Sequence, residues 1–267
     1  MKILFLGTSA GWPLPRLGCN CEICTSKDQK DKRLRPVILI NDSVLVDAGP
    51  DIYHQLSQIR NSLFGRRLAQ NKQFEIRNLK ALILTHAHHD HILGFHDLTH
   101  LYNHSPNLSL YTTEVTLREL HQFFPFPTTP FKPLVVKAGE IFVVGNLKFN
   151  FIPVEHAKFP TWGVKIKGDR LLGYFPDFNK FLKSQEKTCR DLNFLIIDGS
   201  SLSTVGQSHN HENIMQGIKL GKKLKAKQVY FTHLGHKTGR HQDLEAFVQK
   251  EGGKNFHIAF DGLELEI

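Results

Sequence analysis

Six residues, His86-Ala87-His88-His89-Asp90-His91, place four imidazoles and a carboxylate directly after the apolar run Ala81 to Leu84. Imidazole nitrogens and carboxylate oxygens are ligands for zinc, manganese or iron. His86 and His88 are two apart, so an extended backbone points both rings the same way. Asp90 and His91 are adjacent and must point differently. That spacing suits two ions side by side, with His86 and His88 reaching one and Asp90 and His91 the other. His89 is left over.

A second group is softer. Cys19-x-Cys21-x-x-Cys24 puts three of the chain's four cysteines in one short loop. Without a secretory leader, such spacing suggests metal rather than disulfides. Tetrahedral structural zinc needs four ligands, so one must come from elsewhere. The candidates are Cys189, far along the chain, and His236 in Thr232-His233-Leu234-Gly235-His236.

The elements that must carry these groups are short apolar strands. Ala81 to Leu84 reads as a buried strand, and its polar end is where open α/β sheets place ligands. Further strands are expected at Lys2 to Leu6, Val37 to Ile40, Val44 to Val46, Leu147 to Val154, Arg170 to Tyr174, Phe194 to Ile197 and Gln228 to Phe231. Asn41-Asp42 marks a hairpin. Asp47-Ala48-Gly49 follows an early strand, and Asp47 is expected to support the metal loop rather than bind metal. Helices are expected over Ile52 to Leu63, capped by Asp51, and over Leu93 to His104, Glu114 to Phe123, Glu212 to Leu224 and Arg240 to Lys250. Residues 27–35 are strongly charged and read as an exposed connection. A strand ending in His or Asp recurs at 86–91, 156, 177 and 233, as one composite site on the rim of two sheets would require.

The bulk numbers set limits. The 267 residues are 40% hydrophobic and 22% charged, an ordinary globular balance. No apolar run approaches a membrane span, and the start is too quickly interrupted for a secretory signal; the expected location is the cytoplasm, without a membrane partner. A net charge of +9 favours anionic partners. The lysines at 219–227 equally complement the end of a predicted helix.

The His-x-His-x-Asp-His string, behind its strand, resembles the signature of the metallo-β-lactamase fold superfamily. The resemblance implies an α+β fold, an αββα sandwich of two mixed sheets with outer helices, and a single hydrolase domain over residues 1–267. It also implies the remaining ligands of a binuclear centre. His156 would join His86 and His88, Asp177 would bridge, and His233 would join Asp90 and His91. Two divalent ions, zinc, manganese or iron, are the implied cofactors, and Asp90 is given a catalytic part as well as a ligand's.

The thiolate loop, together with the ending His233-Leu234-Gly235-His236, resembles the PhnP-type phosphodiesterases linked to phosphonate breakdown. That likeness implies a structural zinc on Cys19, Cys21, Cys24 and His236, and a catalytic histidine at His211, with His209 as competitor. It implies a small anionic phosphodiester as substrate, cyclic or nucleotide-like. The rivals are a tRNA 3′-processing nuclease, for which RNA would be the partner and a clasping arm is missing, a thioester or lactone hydrolase on the same metals, and a non-catalytic metal-binding protein. Homodimers are common in the superfamily. The 61–77 segment and the Phe/Pro loop at 123–131 depart from the family pattern and could reshape the cleft.

Overall fold

The computed structural model describes residues 1–60, 75–100, 108–125, 131–202 and 211–267. The first sheet has seven strands: β1 (Lys2–Gly7), β2 (Val37–Ile40), β3 (Val44–Val46), β4 (Ala81–Ile83), β5 (Ser109–Thr112), β6 (Lys132–Val135) and β14 (Glu264–Glu266), in the order β14-β1-β2-β3-β4-β5-β6. The second also has seven: β7 (Ile141–Val144), β8 (Leu147–His156), β9 (Phe159–Lys167), β10 (Leu171–Phe175), β11 (Phe194–Asp198), β12 (Gln228–Thr232) and β13 (Phe256–Ile258), in the order β13-β12-β11-β10-β9-β8-β7. Both are mixed. β3 to β6 run parallel in one, and β10 to β13 in the other.

Alternation along each strand builds the layers. Ile3 and Phe5 face inward and join Ile38, Ile83, Phe149, Phe151, Val164 and Ile196 in the core between the sheets. Leu4 and Leu6 face outward, where they pack with Ile52 and Leu56 of α1 (Ile52–Arg60), Phe95 of α3 (Phe95–Leu98) and Leu120 of α4 (Glu114–Phe123). On the far side Leu195, Ile197, Val229 and Phe231 pack with Ile214 and Ile218 of α6 (Ile214–Lys223) and Leu244 and Val248 of α7 (His241–Gly252). Covered on both faces, these strands are continuous apolar runs. The architecture is the expected αββα sandwich.

Several local expectations change. Of the 93–104 helix the described residues show the single turn α3, which follows the single turn α2 (His89–Ile92); residues 101–104 lie outside the described residues. The chain breaks between α2 and α3 at Gly94, where a Cβ would lie 2.0 Å from the Gly49 carbonyl oxygen. α1 ends at Arg60, and residues 61–63 lie outside the described residues. Asp51 does not serve as the expected cap; its carboxylate takes Arg35 N and the Arg35 guanidinium, each at 2.9 Å. α6 starts at Ile214 because Asn213 and Gln216 form a reciprocal capping box. The 27–35 segment is not simply exposed, since Asp31 and Arg33 are buried. Asn41 and Asp42 both adopt positive φ, as a tight hairpin turn demands.

Candidate metal centre

The carboxyl ends of β3, β4, β8, β10, β11 and β12 meet on one rim. Leaving β4, the backbone stays extended at His88 (φ −70°, ψ 151°) and then turns into α2. His86 and His88 therefore sit on extended chain, whereas Asp90 and His91 sit in a helical turn that redirects them. The loop rests on β3's end. Ala48 N donates to His91 O at 2.7 Å and Gly94 N to Ala48 O at 2.9 Å. A Cβ at Gly49 would lie 2.2 Å from Asp90 O, so only glycine permits this approach.

Asp177 stands at the middle. Its Oδ2 lies 3.2 Å from His86 Nε2, 3.6 Å from His88 Nδ1, 3.8 Å from His91 Nε2 and 3.9 Å from His233 Nε2. Its Oδ1 lies 3.1 Å from His156 Nδ1. On the other side, Asp90 Oδ2 is 3.2 Å from His233 Nε2 and 3.6 Å from His91 Nε2. Ligand atoms of His86, His88, His156 and Asp177 fall within 4.8 Å of one another, as do those of Asp90, His91 and His233. All seven residues named from the sequence for the binuclear centre thus converge, with Asp177 between the two groups. His89 points away and packs on Phe123.

The donor set fits divalent cations. Nε2 of His86 and of His91 are buried without a partner in hydrogen-bonding geometry among the described residues. Such atoms cost about 1–3 kcal/mol each, a cost that coordination would remove. Burial, reinforced by His91, pushes His86 down to about 4, and burial pushes His156 down to about 3, so both offer neutral lone pairs. Burial works against ionising Asp90 and Asp177, but His91 and His233 hold Asp90, and His233 and His211 hold Asp177, well below the usual carboxylate range. Neutral imidazole and ionised carboxylate are the forms that metals bind.

Asp47 fixes the ring of His91. Its carboxylate accepts Thr85 N and Thr85 Oγ1, each at 2.9 Å, and His91 Nδ1 at 2.8 Å, which leaves Nε2 facing the centre. Against the cost of burial, Asp47 and Asp90 push His91 up to about 9. Asp47 and His233 both hold left-handed backbone, with φ of 67° and 57°. For non-glycine residues this is strained, and such strain clusters at functional sites.

His211 lies at the rim, its Nδ1 2.9 Å from both Asp198 Oδ2 and Asp177 Oδ1. Against burial, those two carboxylates push it up to about 11. Asp198 is the residue that the sequence reading missed. It is buried, accepts Ser200 N at 2.8 Å and stands at the end of β11. The signal was present, because Phe194–Asp198 repeats the pattern of an apolar strand closed by a ligand-type residue. His209 lies outside the described residues.

The thiolate cluster is less complete. Sγ of Cys19 and Cys21 and a ring nitrogen of His236 fall within 4.8 Å of one another. Cys24 stands at the edge of that trio, buried against Leu14 and Ile23, with its Sγ accepting Arg16 N at 3.4 Å. The structure so brings Cys19, Cys21 and His236 together, with the Cys24 thiol against the two other thiols. Cys189 is buried in the core against α6's layer and takes no part.

A Beta-lactamase superfamily domain model matches residues 42–234. The chain belongs to this superfamily, in its metallo-β-lactamase fold. Among solved structures it resembles a diphosphatase from the PhnP family, with TM-score 0.82 and 26% identity over 100% of this chain and 97% of that one. It also resembles Zn(2+)-bound PqqB from Methylobacterium extorquens, with TM-score 0.76 and 22% identity over 100% of both chains, a likeness of fold. An octanoyltransferase of Porphyromonas gingivalis is 28% identical over 279 residues, which cover 100% of this chain and 52% of that protein. The chain spans about half or less of the length of the curated relatives that it matches. Among the described residues, no helix is long and apolar enough to cross a membrane.

Proposed function

We propose that the chain is a metal-dependent hydrolase of small phosphodiesters, with residues 1–267 acting as one domain. The observation that carries this is the pair of ligand groups meeting at Asp177, with His211 beside them. His86, His88 and His156 would hold one divalent ion, Asp90, His91 and His233 a second, and Asp177 both; zinc and manganese suit these donors. When bound, two such ions supply an activated water and neutralise phosphoryl charge. A structural zinc would sit on Cys19, Cys21, Cys24 and His236.

The chain's own residues supply the rest. Asp47 and Thr85 hold the His91 ring, and left-handed His233 is aimed by the turn after β12. Asp198 anchors Nδ1 of His211, so that the protonated ring presents Nε2 to donate to the departing alkoxide or to oppose phosphoryl charge. Asp90 touches the reacting region from the α2 side, where Gly11 leaves room, because a Cβ there would stand 3.7 Å from Asp90 Oδ2. The PhnP-family neighbour supports a phosphate substrate, and the basic charge suits an anion. The cytoplasm is the proposed location, and a homodimer is proposed only by analogy with the superfamily.

A second reading, hydrolysis of an acyl thioester, is favoured by the octanoyltransferase relative. The cleft at His211 favours the phosphodiester, because Arg16 and Lys237 line it and suit an anion, although Ala10, Trp12 and Leu202 also give it apolar wall. The metal-reconstituted chain should hydrolyse bis(p-nitrophenyl) phosphate and leave octanoyl-N-acetylcysteamine nearly untouched. The reverse preference would overturn the phosphodiesterase assignment in favour of the thioester.

A further inference from the structure

The seven proposed ligands are not equally enclosed. Six of the side chains are 11% exposed or less, and that of His88 is 23% exposed. A substrate therefore reaches the centre past His88, and the residue that stands there is Phe159. Its ring packs on that of His88, with centroids 4.5 Å apart and planes at 72°. Among the described residues no other ring, the histidines apart, packs on a proposed ligand. Phe123, also exposed, packs on His89, which lies outside the set.

The backbone fixes this ring. β8 and β9 are joined by Ala157 and Lys158 alone, and His156 pairs directly with Phe159. Cross-strand partners lie side by side on one face of a hairpin, so Phe159 faces the way its ligand partner does, towards the metal centre. Ala157 takes positive φ, 48°, as so short a turn demands. Behind the turn the hairpin is tied down, since Glu155 N donates to Lys180 O at 3.1 Å and Asn179 N donates to Glu155 O at 2.8 Å. Yet Phe159 is 47% exposed. Exposed apolar side chains are ordinary singly, but this one is paired in register with one proposed ligand and packed on a second.

Resting on the phosphodiesterase assignment, we propose that Phe159 determines specificity. Its open surface takes a flat aromatic ring carried by the diester, a nucleobase or an aryl group, while the phosphoryl group sits at the metal centre. Phe159 touches that ring and takes no part in bond cleavage. It selects nucleotide-like diesters over sugar or alkyl diesters of the same charge.

The test compares adenosine 2′,3′-cyclic phosphate with methyl riboside 2,3-cyclic phosphate on the metal-reconstituted protein, because the two share the reacting diester and differ in the base. The nucleotide should have a kcat/KM about tenfold higher, the size of one base–aromatic stack, carried mainly by KM. Phe159→Ala and Phe159→Leu should bring the ratio close to one, and Phe159→Trp should keep it. No preference in the native protein, or a loss in Phe159→Ala shared equally by both substrates, as a merely structural role would give, would overturn the proposal. Calorimetric titration of the metal-loaded chain with benzylphosphonate and ethylphosphonate, anions that it cannot hydrolyse, separates this claim from the hydrolysis. About tenfold tighter binding of the benzyl compound, lost in Phe159→Ala, supports the role of Phe159 even if no diester is cleaved, and in that case the hydrolysis assignment alone fails. Equal affinity for the two, or tighter binding of octylphosphonate than of benzylphosphonate, overturns the aromatic preference even if diesters are cleaved.

Discussion

The two ligand clusters of this chain are built in opposite ways. The His/Asp centre hangs from the ends of strands covered on both faces, and its members are buried apart from His88, which is partly exposed. Each is held before any ion arrives, His91 by Asp47 and the 86–91 loop by β3's end. The Cys/His cluster hangs from a loop with few backbone hydrogen bonds, where only Leu14, Ile23 and Cys24 make a small buried group. Cys19, Cys21 and His236 are half-exposed, and Cys24 is buried beside the other two thiols. A centre prebuilt by the sheets should keep its shape without metal, while one on a loop should owe its shape to its ion.

The sharpest break in that contrast is chemical. His211→Ala should keep the metals, because the residue is not one of the seven proposed ligands, yet lower kcat on bis(p-nitrophenyl) phosphate by roughly 10²–10⁴-fold. Metal analysis beside steady-state kinetics checks this, and unchanged turnover would remove His211 from the mechanism. Next in size, Asp47→Ala removes the hydrogen bond that aims His91. Metal affinity should fall by about 10–100-fold, read by competition with a chromophoric chelator, with the fold kept by circular dichroism.

Cys21→Ser probes the other cluster. The variant should lose one zinc and become protease-sensitive between residues 12 and 30, while the His/Asp centre keeps its ions. Full zinc retention would break the structural-zinc assignment. The smallest effect lies beneath the same loop. Fully buried Arg33 donates to Thr8 Oγ1 at 2.8 Å and to Ala259 O at 2.6 Å, and its Nη2 lies 3.3 Å from His241 Nδ1. Burial, then Arg33, pushes His241 down to about 4. From pH 6.5 to about 4 the unfolded chain therefore binds a proton that the folded chain refuses, so stability falls as pH falls. The loss is at most about 3 kcal/mol. Urea midpoints across that range should drop in the native protein and drop less steeply in His241→Gln, where His86 and His156 still refuse their protons.

Much of this was legible in the chain. The 86–91 string, the apolar strands before it and after it, and the hairpin at Asn41-Asp42 are local patterns, with periodicity and turn chemistry read over a few residues. What escaped depends on distant partners. Asp198 looks like any turn-forming aspartate until His211 is folded against it. Arg33 sits in a charged run whose composition suggests solvent, but Thr8, Ala259 and His241 draw it inside. The break at Gly94 follows from the approach of Gly49, forty-five residues away in sequence. Asp51 resembles a cap and is claimed instead by Arg35. In each case a tertiary contact overrode a local preference.

The measurement that bears most directly on the central assignment is metal content beside diesterase activity, in the native chain and in Asp177→Ala. The native protein should hold about three ions, two at the His/Asp centre and one at the thiolate cluster. Asp177→Ala should retain about one, that of the thiolate cluster, and lose activity on bis(p-nitrophenyl) phosphate by roughly a thousandfold. A variant that kept three ions and full activity, or a native protein that bound none after reconstitution, would contradict the binuclear centre.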